Sequence, residues 1–234
     1  MKKDEDCFVV EGIRAVGSIL ESTLSIRALI RFRDSDAKGL SRLEELARRR
    51  GVEIRHVDER NARKYVSTKT PQGIAALVEK PPAPDIALLA KDARRILVLD
   101  GVSDPGNVGT LVRTAWLLGW DACVATPGSA LFFGEKVVRA SAGAIGFIPV
   151  AVAPAQELRK LLQREGFRIL LAVPGGDTDR DEGNGRLALV LGGEAHGPLS
   201  SWPEARSIGI PIRKSPVDSL GVVAGGAILL DRFR

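Results

Sequence analysis

The 234-residue chain holds only two cysteines and two histidines, and no long uninterrupted apolar run. Cys7 and Cys123 lie far apart, with no CxxC pair and no histidine cluster, which argues against a disulfide framework and leaves no zinc ligand set. The apolar stretch Cys7-Phe8-Val9-Val10 sits between a charged N-terminus and Glu11. It is too short for a signal peptide or a membrane span. A reducing, cytoplasmic setting without membrane contact is expected, and an organellar matrix would require a targeting segment upstream of Met1. Also missing are a GxGxxG turn after the first strand of the larger half, a GxxxxGK[ST] loop and a GxSxG elbow. Dinucleotide enzymes of the usual type, P-loop NTPases and serine hydrolases therefore lack their signatures. No internal repeat or low-complexity tract interrupts the chain.

What is present suits a folded chain in water: 44% hydrophobic and 27% charged residues. The formal charge of +5 suits a polyanionic partner but is weak testimony alone. Lys and Arg outnumber Asp and Glu by 17 to 14 in residues 1–85 and by 17 to 15 in the rest, so neither half is a basic tail. Any RNA-binding surface must come from folding charges onto one face. The run Lys80-Pro81-Pro82-Ala83-Pro84 removes backbone donors and holds the chain extended. It divides the chain into a small α/β domain (1–80), a linker (81–94) and a larger α/β domain (95–234).

In the first domain the patterning predicts helices at 12–20 and 40–50, the latter with Leu40, Leu43, Leu46 and Ala47 on one face, and strands at 26–32, 52–57 and 73–78. In the second it predicts strands at 96–99, 122–125, 147–152, 169–173, 187–191 and 208–212. Helices are predicted at 108–118, 135–144 and 156–164, with a last one from about Ser219. Strands rich in Val, Ile and Leu without alternation imply a mostly parallel sheet covered on both faces.

Three glycine-containing segments follow predicted strands, where parallel sheets bind ligands. In the first, Asp104 and Pro105 favour a tight turn, Asn107 can cap the next helix, and Gly109 permits close approach of a ligand or another chain segment. Arg113 can clamp a phosphate or cover the helix with its aliphatic stem. The second, Gly192-Gly193-Glu194-Ala195-His196-Gly197, offers glycines for close approach of a cofactor and an acid to accept hydrogen bonds. His196, whose side-chain type titrates nearest neutrality, stays unassigned. In the third, Asp218 or Ser219 can cap the last helix, and Ala224, Gly225, Gly226 and Ala227 make it slim enough for close packing.

Together, Asp104-Pro105-x-Asn107-x-Gly109-x-x-x-Arg113-x-Ala115, Gly192-x-Glu194-x-x-Gly197 and Ile210-Pro211 followed by Ser219-Leu220-x-Val222 resemble the three ordered motifs of the SpoU branch of the SPOUT superfamily. The segment from Lys136 to Ala144 is similar to that family's Arg-x-Ser-x-Gly-Ala helix. The resemblance covers about residues 95 to 233. Val10-Glu11-Gly12 and Gln72-Gly73-Ile74-Ala75 resemble the ribosomal-protein-L30e-like RNA-binding domain that often precedes it.

The resemblance implies a deep trefoil knot, S-adenosylmethionine bent into the knotted loops, and a homodimer whose site draws on both subunits. General topology rules, which treat knots as nearly absent, point the other way. The implied activity is methyl transfer to a ribose 2′-hydroxyl of structured RNA, ribosomal RNA before transfer RNA, with no metal needed. Carried onto this chain, Asn107, Arg113, Glu194 and Ser219 form the catalytic set, while Gly192, Gly197, Ile212 and Leu220 line the cofactor. The resemblance implies that Arg113 activates the hydroxyl, yet a guanidinium stays protonated and is a poor base, so positioning and electrostatic work is the role its chemistry favours. The family usually has Asn or Ser at the position of Gly193 and Asn at that of Gly221. An RNA-binding dimer that keeps the fold but methylates weakly is the alternative reading, and a small-molecule α/β enzyme is a third.

Overall fold

The computed structural model describes residues 6–33, 35, 38–66, 68, 70–178, 185–213 and 220–234. Its first sheet is built from β1 (Cys7–Glu11), β2 (Ile26–Phe32), β3 (Ile54–Val57) and β4 (Ile74–Glu79), with helices α1 (Ile13–Glu21), α2 (Leu40–Arg49) and α3 (Glu59–Ala62) between them. The order is β1-β4-β2-β3; β4 runs antiparallel to both neighbours and β2 pairs parallel with β3. Strand β1 was not anticipated, because four apolar residues beside a charged terminus carry no periodic signal. Pairing along β4 buries Phe8 and Val10 and makes it an edge strand. On α2, Leu40, Leu43 and Ala47 are buried and Leu46 is half-buried, so the expected apolar face is the one that packs.

Within the stretch read as a linker, α4 (Ile86–Asp92) forms directly after the last proline. The Asp85 side chain caps it, accepting from the Ala87 amide at 2.8 Å. Ala90 and Ala93 are buried in the core of the second sheet, so this segment is packed structure rather than a free tether.

The second sheet comprises β5 (Arg95–Asp100), β6 (Ala122–Ala125), β7 (Val150–Val152), β8 (Arg168–Asp177), β9 (Leu187–Gly192) and β10 (Arg206–Ile208). Its helices are α5 (Pro105–Leu117), α6 (Glu135–Ser141), α7 (Ala155–Arg164) and α8 (Gly221–Arg232). The order is β10-β8-β9-β5-β6-β7 and every pair is parallel. Both faces of the central strands are covered. Leu97, Leu99, Leu189 and Leu191 pack with α5 and α8, while Ile96, Val98, Ala188 and Val190 pack with α4 and α7.

Several boundaries differ from the sequence expectation, three of them for clear local reasons. Helix α6 stops at Ser141 because Ala142 and Gly143 take φ values of 49° and 95°; a 3-10 turn, Ala144–Gly146, follows, so β7 starts only at Val150. Strand β10 spans Arg206–Ile208 rather than 208–212, and the chain beyond it leaves the sheet. The same glycines seat the first sheet on the second. A Cβ at Gly143 would lie 2.7 Å from the Ser18 Cβ, and one at Gly146 would lie 2.6 Å from the Ile19 Cδ1. Only a bare backbone lets α1 approach this closely, and Phe8 closes the seam against Phe133 at 5.0 Å between ring centroids.

Candidate active site

At the carboxyl end of β9 lies a cavity of about 250 Å³. Three walls meet there. One is the loop Gly192–Gly197, pinched by reciprocal hydrogen bonds of 2.9 Å between the backbones of Gly193 and Gly197. The second is formed by Gly209, Ile210 and Ile212 after β10 together with Leu220, Val222, Gly225 and Gly226 at the start of α8. The third is an arch in β8. Leu171 pairs with Ser207, yet the next paired residue, Asp177, is opposite Ile208, so residues 172–176 bow out of the sheet and present Ala172 to Gly175 to the cavity.

Glycines allow these walls to touch. A Cβ on Gly192 would sit 2.1 Å from the Pro198 nitrogen, and one on Gly193 would sit 2.4 Å from the Gly101 carbonyl oxygen. The loop after β9 therefore lies directly on the turn after β5. Gly221 opens α8 with φ of 69°, a conformation that Asn also tolerates, and its Cβ position is 3.8 Å from a Glu194 carboxyl oxygen.

The first motif meets the second through side chains. Asp104, rather than Asn107, caps α5 by accepting from the Asn107 amide at 2.8 Å. That leaves the Asn107 side chain free to donate to Glu194 Oε1 at 2.9 Å. Gly109 serves helix packing, since a Cβ there would lie 2.4 Å from the Val137 carbonyl oxygen on α6.

Of the eight expected site residues, the fold gathers Gly192, Glu194, Gly197, Ile212 and Leu220 around one cavity, and Asn107 touches it through Glu194. Arg113 is not brought in: it is exposed on α5 and does not line the cavity. Ser219, like Asp218, lies outside the described residues. His196 is exposed and does not line the cavity. The β8 arch was missed, although Pro174-Gly175-Gly176 marks a break in an otherwise apolar strand. Among the described residues no cluster of His, Cys, Asp and Glu could hold a metal ion, and no helix is long and apolar enough to cross a membrane.

Comparison with known proteins places this geometry. Residues 94–231 match the SpoU rRNA Methylase family, and residues 9–84 match the family described as RNA 2′-O ribose methyltransferase substrate binding. The chain is 32% identical to the 23S rRNA (guanosine-2′-O-)-methyltransferase RlmB of Xylella fastidiosa, over 96% of this chain and 95% of that one. It is 28% identical to the 23S rRNA (guanosine(2553)-2′-O)-methyltransferase RlmP of Bacillus subtilis, over 97% of this chain and 88% of that one. A TrmH-family structure from Porphyromonas gingivalis superposes with a TM-score of 0.79 at 28% identity, covering 98% and 90% of the two chains. The SpoU methyltransferase AviRb of Streptomyces viridochromogenes shares the fold with a TM-score of 0.81 at 22% identity, covering 97% and 88%. With the family match extending over most of the chain and a relative above 30% identity along nearly its whole length, the protein belongs to the SpoU rRNA methylase family.

Proposed function

We propose that the chain transfers the methyl group of S-adenosylmethionine to a ribose 2′-hydroxyl of ribosomal RNA, in the cytoplasm and as a homodimer. The observation that carries this reading is the convergence of the second and third motif loops on a single cavity at the strand ends, to which the first motif is tied by the bond from Asn107 to Glu194 at the rim. The residues present suit the cofactor. Leu191, Ile210, Leu220, Val222 and Leu229 give an apolar surround for a flat base, the glycine backbones offer donors and acceptors at close range, and Glu194 provides an acceptor for hydroxyl or amino groups. When bound, S-adenosylmethionine supplies an electrophilic methyl on a sulfonium. The chain's own work is to align the ribose hydroxyl with that methyl and to exclude misdirected poses. The tied Asn107 and Glu194 fix the rim, and Arg113 offers a fork of donors to an RNA phosphate and to the developing alkoxide.

The dimer accounts for the position of Arg113. Trp116 and Leu117 are 40% and 67% exposed on α5, and Ile228 is 43% exposed on α8, which packs beside it. Arg113 precedes Trp116 and Leu117 by three and four residues and so shares their face. If a second copy covers this apolar face, Arg113 projects towards the partner's cavity rather than its own. The trefoil knot belongs to the same reading. After β9 the chain passes to the α7 side, where Trp202 is buried, and returns to the opposite side in α8. Residues 1–80 are proposed as the substrate-binding domain. Exposed Arg33, Arg60, Arg63 and Lys64 at its β3–α3 end form the charged face that an RNA backbone requires. The names of the Xylella and Bacillus relatives favour ribosomal over transfer RNA.

The test is calorimetric titration with S-adenosylmethionine alongside tritium transfer to ribosomal RNA lacking the modification. Binding and transfer, with transfer lost in Arg113→Ala, are the expected result. Cofactor and RNA binding without transfer to any RNA would favour the weakly methylating RNA-binding dimer. No cofactor binding by the folded protein would overturn the assignment.

A further inference from the structure

We infer that Asp100 is a positioning residue that clamps both ends of the cofactor loop; this rests on reading the β9 cavity as the cofactor site. Asp100 ends β5 and is fully buried, one of very few charged side chains in the core of the described residues. Its backbone pairs with Gly192, where the loop leaves the sheet. Its carboxyl oxygens face the other end of the same loop. Oδ2 accepts from the Ser200 amide at 2.9 Å and from the Trp202 indole nitrogen at 2.9 Å, and Oδ1 accepts from the Ser200 hydroxyl at 3.0 Å. Oδ1 also accepts from the Thr126 hydroxyl, on the side away from the loop. One residue therefore fixes where the loop starts and where it returns, and the intervening seven residues, Gly193 to Leu199, include Glu194 and Gly197.

The turn beneath the loop is held independently. Ser129 Oγ accepts from the Gly101 and Val102 amides at 3.0 and 3.2 Å and donates to the Leu99 carbonyl at 2.9 Å. The base on which the loop rests thus survives loss of the Asp100 carboxyl, whereas the return strand of the loop does not. Asp100→Asn keeps the size of the side chain but offers one acceptor oxygen where the fold uses two. Its nitrogen would oppose the Ser200 amide and the Trp202 indole in one orientation, and in the other it faces the Thr126 and Ser200 hydroxyls, which must turn from donors into acceptors to meet it. An alternative view treats Asp100 as a general buried polar support with no special hold on the loop. In that case Thr126→Val, which removes a bond to the same carboxyl, would have the same effects.

The deciding experiment is hydrogen exchange on the full chain, read peptide by peptide, for wild type, Asp100→Asn, Trp202→Phe and Thr126→Val. Asp100→Asn is expected to speed exchange across residues 193–202 by about tenfold or more while β6 and the first sheet stay as in wild type. Trp202→Phe should give the same pattern more weakly, and Thr126→Val should leave the loop unchanged. Calorimetry on the same proteins should find S-adenosylmethionine affinity reduced about tenfold in Asp100→Asn with RNA affinity unaltered. Unchanged exchange in 193–202, or equal loosening in Thr126→Val, would overturn the clamp. Should Asp100→Asn fail to fold, Trp202→Phe against Thr126→Val makes the same comparison. If wild type binds no S-adenosylmethionine, the functional reading falls, and exchange still decides whether Asp100 holds the loop.

Discussion

Replacing Gly193 by Ala is the sharpest test of how the loop after β9 sits on the β5 turn. The added Cβ would lie 2.4 Å from the Gly101 carbonyl oxygen, closer than the 3.0 Å below which real Cβ contacts essentially never fall. The loop must therefore lift by roughly 0.6 Å or more, or the β5 turn must sink. Neither side gives easily. The turn is pinned by Ser129, and the loop is pinched by the paired 2.9 Å bonds between Gly193 and Gly197. Overpacking of this kind costs about 1–3 kcal/mol, which in a chain of this size lowers Tm by roughly 2–12 °C. Gly225→Ala is the matched control. It lies within α8, its Cβ would meet only the Ile210 Cδ1 at an ordinary 3.7 Å, and the change should gain about 0.5–1 kcal/mol through backbone entropy. Scanning calorimetry should therefore move the two variants in opposite directions. A Gly193→Ala protein that melts at or above the wild-type temperature would refute the contact with Gly101 and the reasoning built on it.

Further outcomes follow from single contacts. Trp120→Phe removes the buried indole bond to the Leu230 carbonyl at 3.0 Å and should destabilise by about 1–3 kcal/mol in urea unfolding, because the carbonyl is left unpaired; an unchanged midpoint would contradict it. Asn107→Ala frees Glu194 at an exposed rim, so kcat/KM should fall about two- to tenfold, equivalent to about 0.5–1.5 kcal/mol, with Tm nearly unchanged; full activity would remove Asn107 from the site. Burial pushes the Cys123 thiol well above the ordinary range, whereas Cys7 is half-buried. Iodoacetamide at mildly alkaline pH should leave Cys123 unmodified in the native protein and alkylate it only after unfolding, and mass spectrometry reads the difference.

Much of this arrangement is visible before folding because it rests on local chemistry. Strands β2 and β6 have the predicted bounds, since β6 is a short apolar run and β2 is apolar apart from Arg27 and Arg31, and neither needs a distant partner to be recognised. The glycine at 192 announces close approach for the same reason, and a Cβ there would lie 2.1 Å from the Pro198 nitrogen, whereas Gly197 serves the loop through its φ of 68° with open space beside it. What escapes is whatever depends on a partner far along the chain. Asn107 reads as a cap because Asn before a helix commonly is one. Its real bond is to Glu194, 87 residues away, and becomes possible only because Asp104 has already satisfied the helix end. The β8 arch is hidden in the same way. Its glycines suggest a break, yet only the register with β10 makes five residues bow out, four of which line the cavity.

Asp100 carries this reasoning furthest. In sequence it is an acid between an apolar strand and a glycine turn, a place where acids usually meet solvent. Burial there is tolerable only because Thr126, Ser200 and Trp202 deliver donors to its two oxygens. Two of those residues follow the Gly192–Gly197 loop, and they can reach Asp100 only if the chain after β9 doubles back across the end of β5. The carboxyl is therefore fully satisfied only when the loop is closed, so the packing of the core and the placing of the loop after β9 are coupled in this fold.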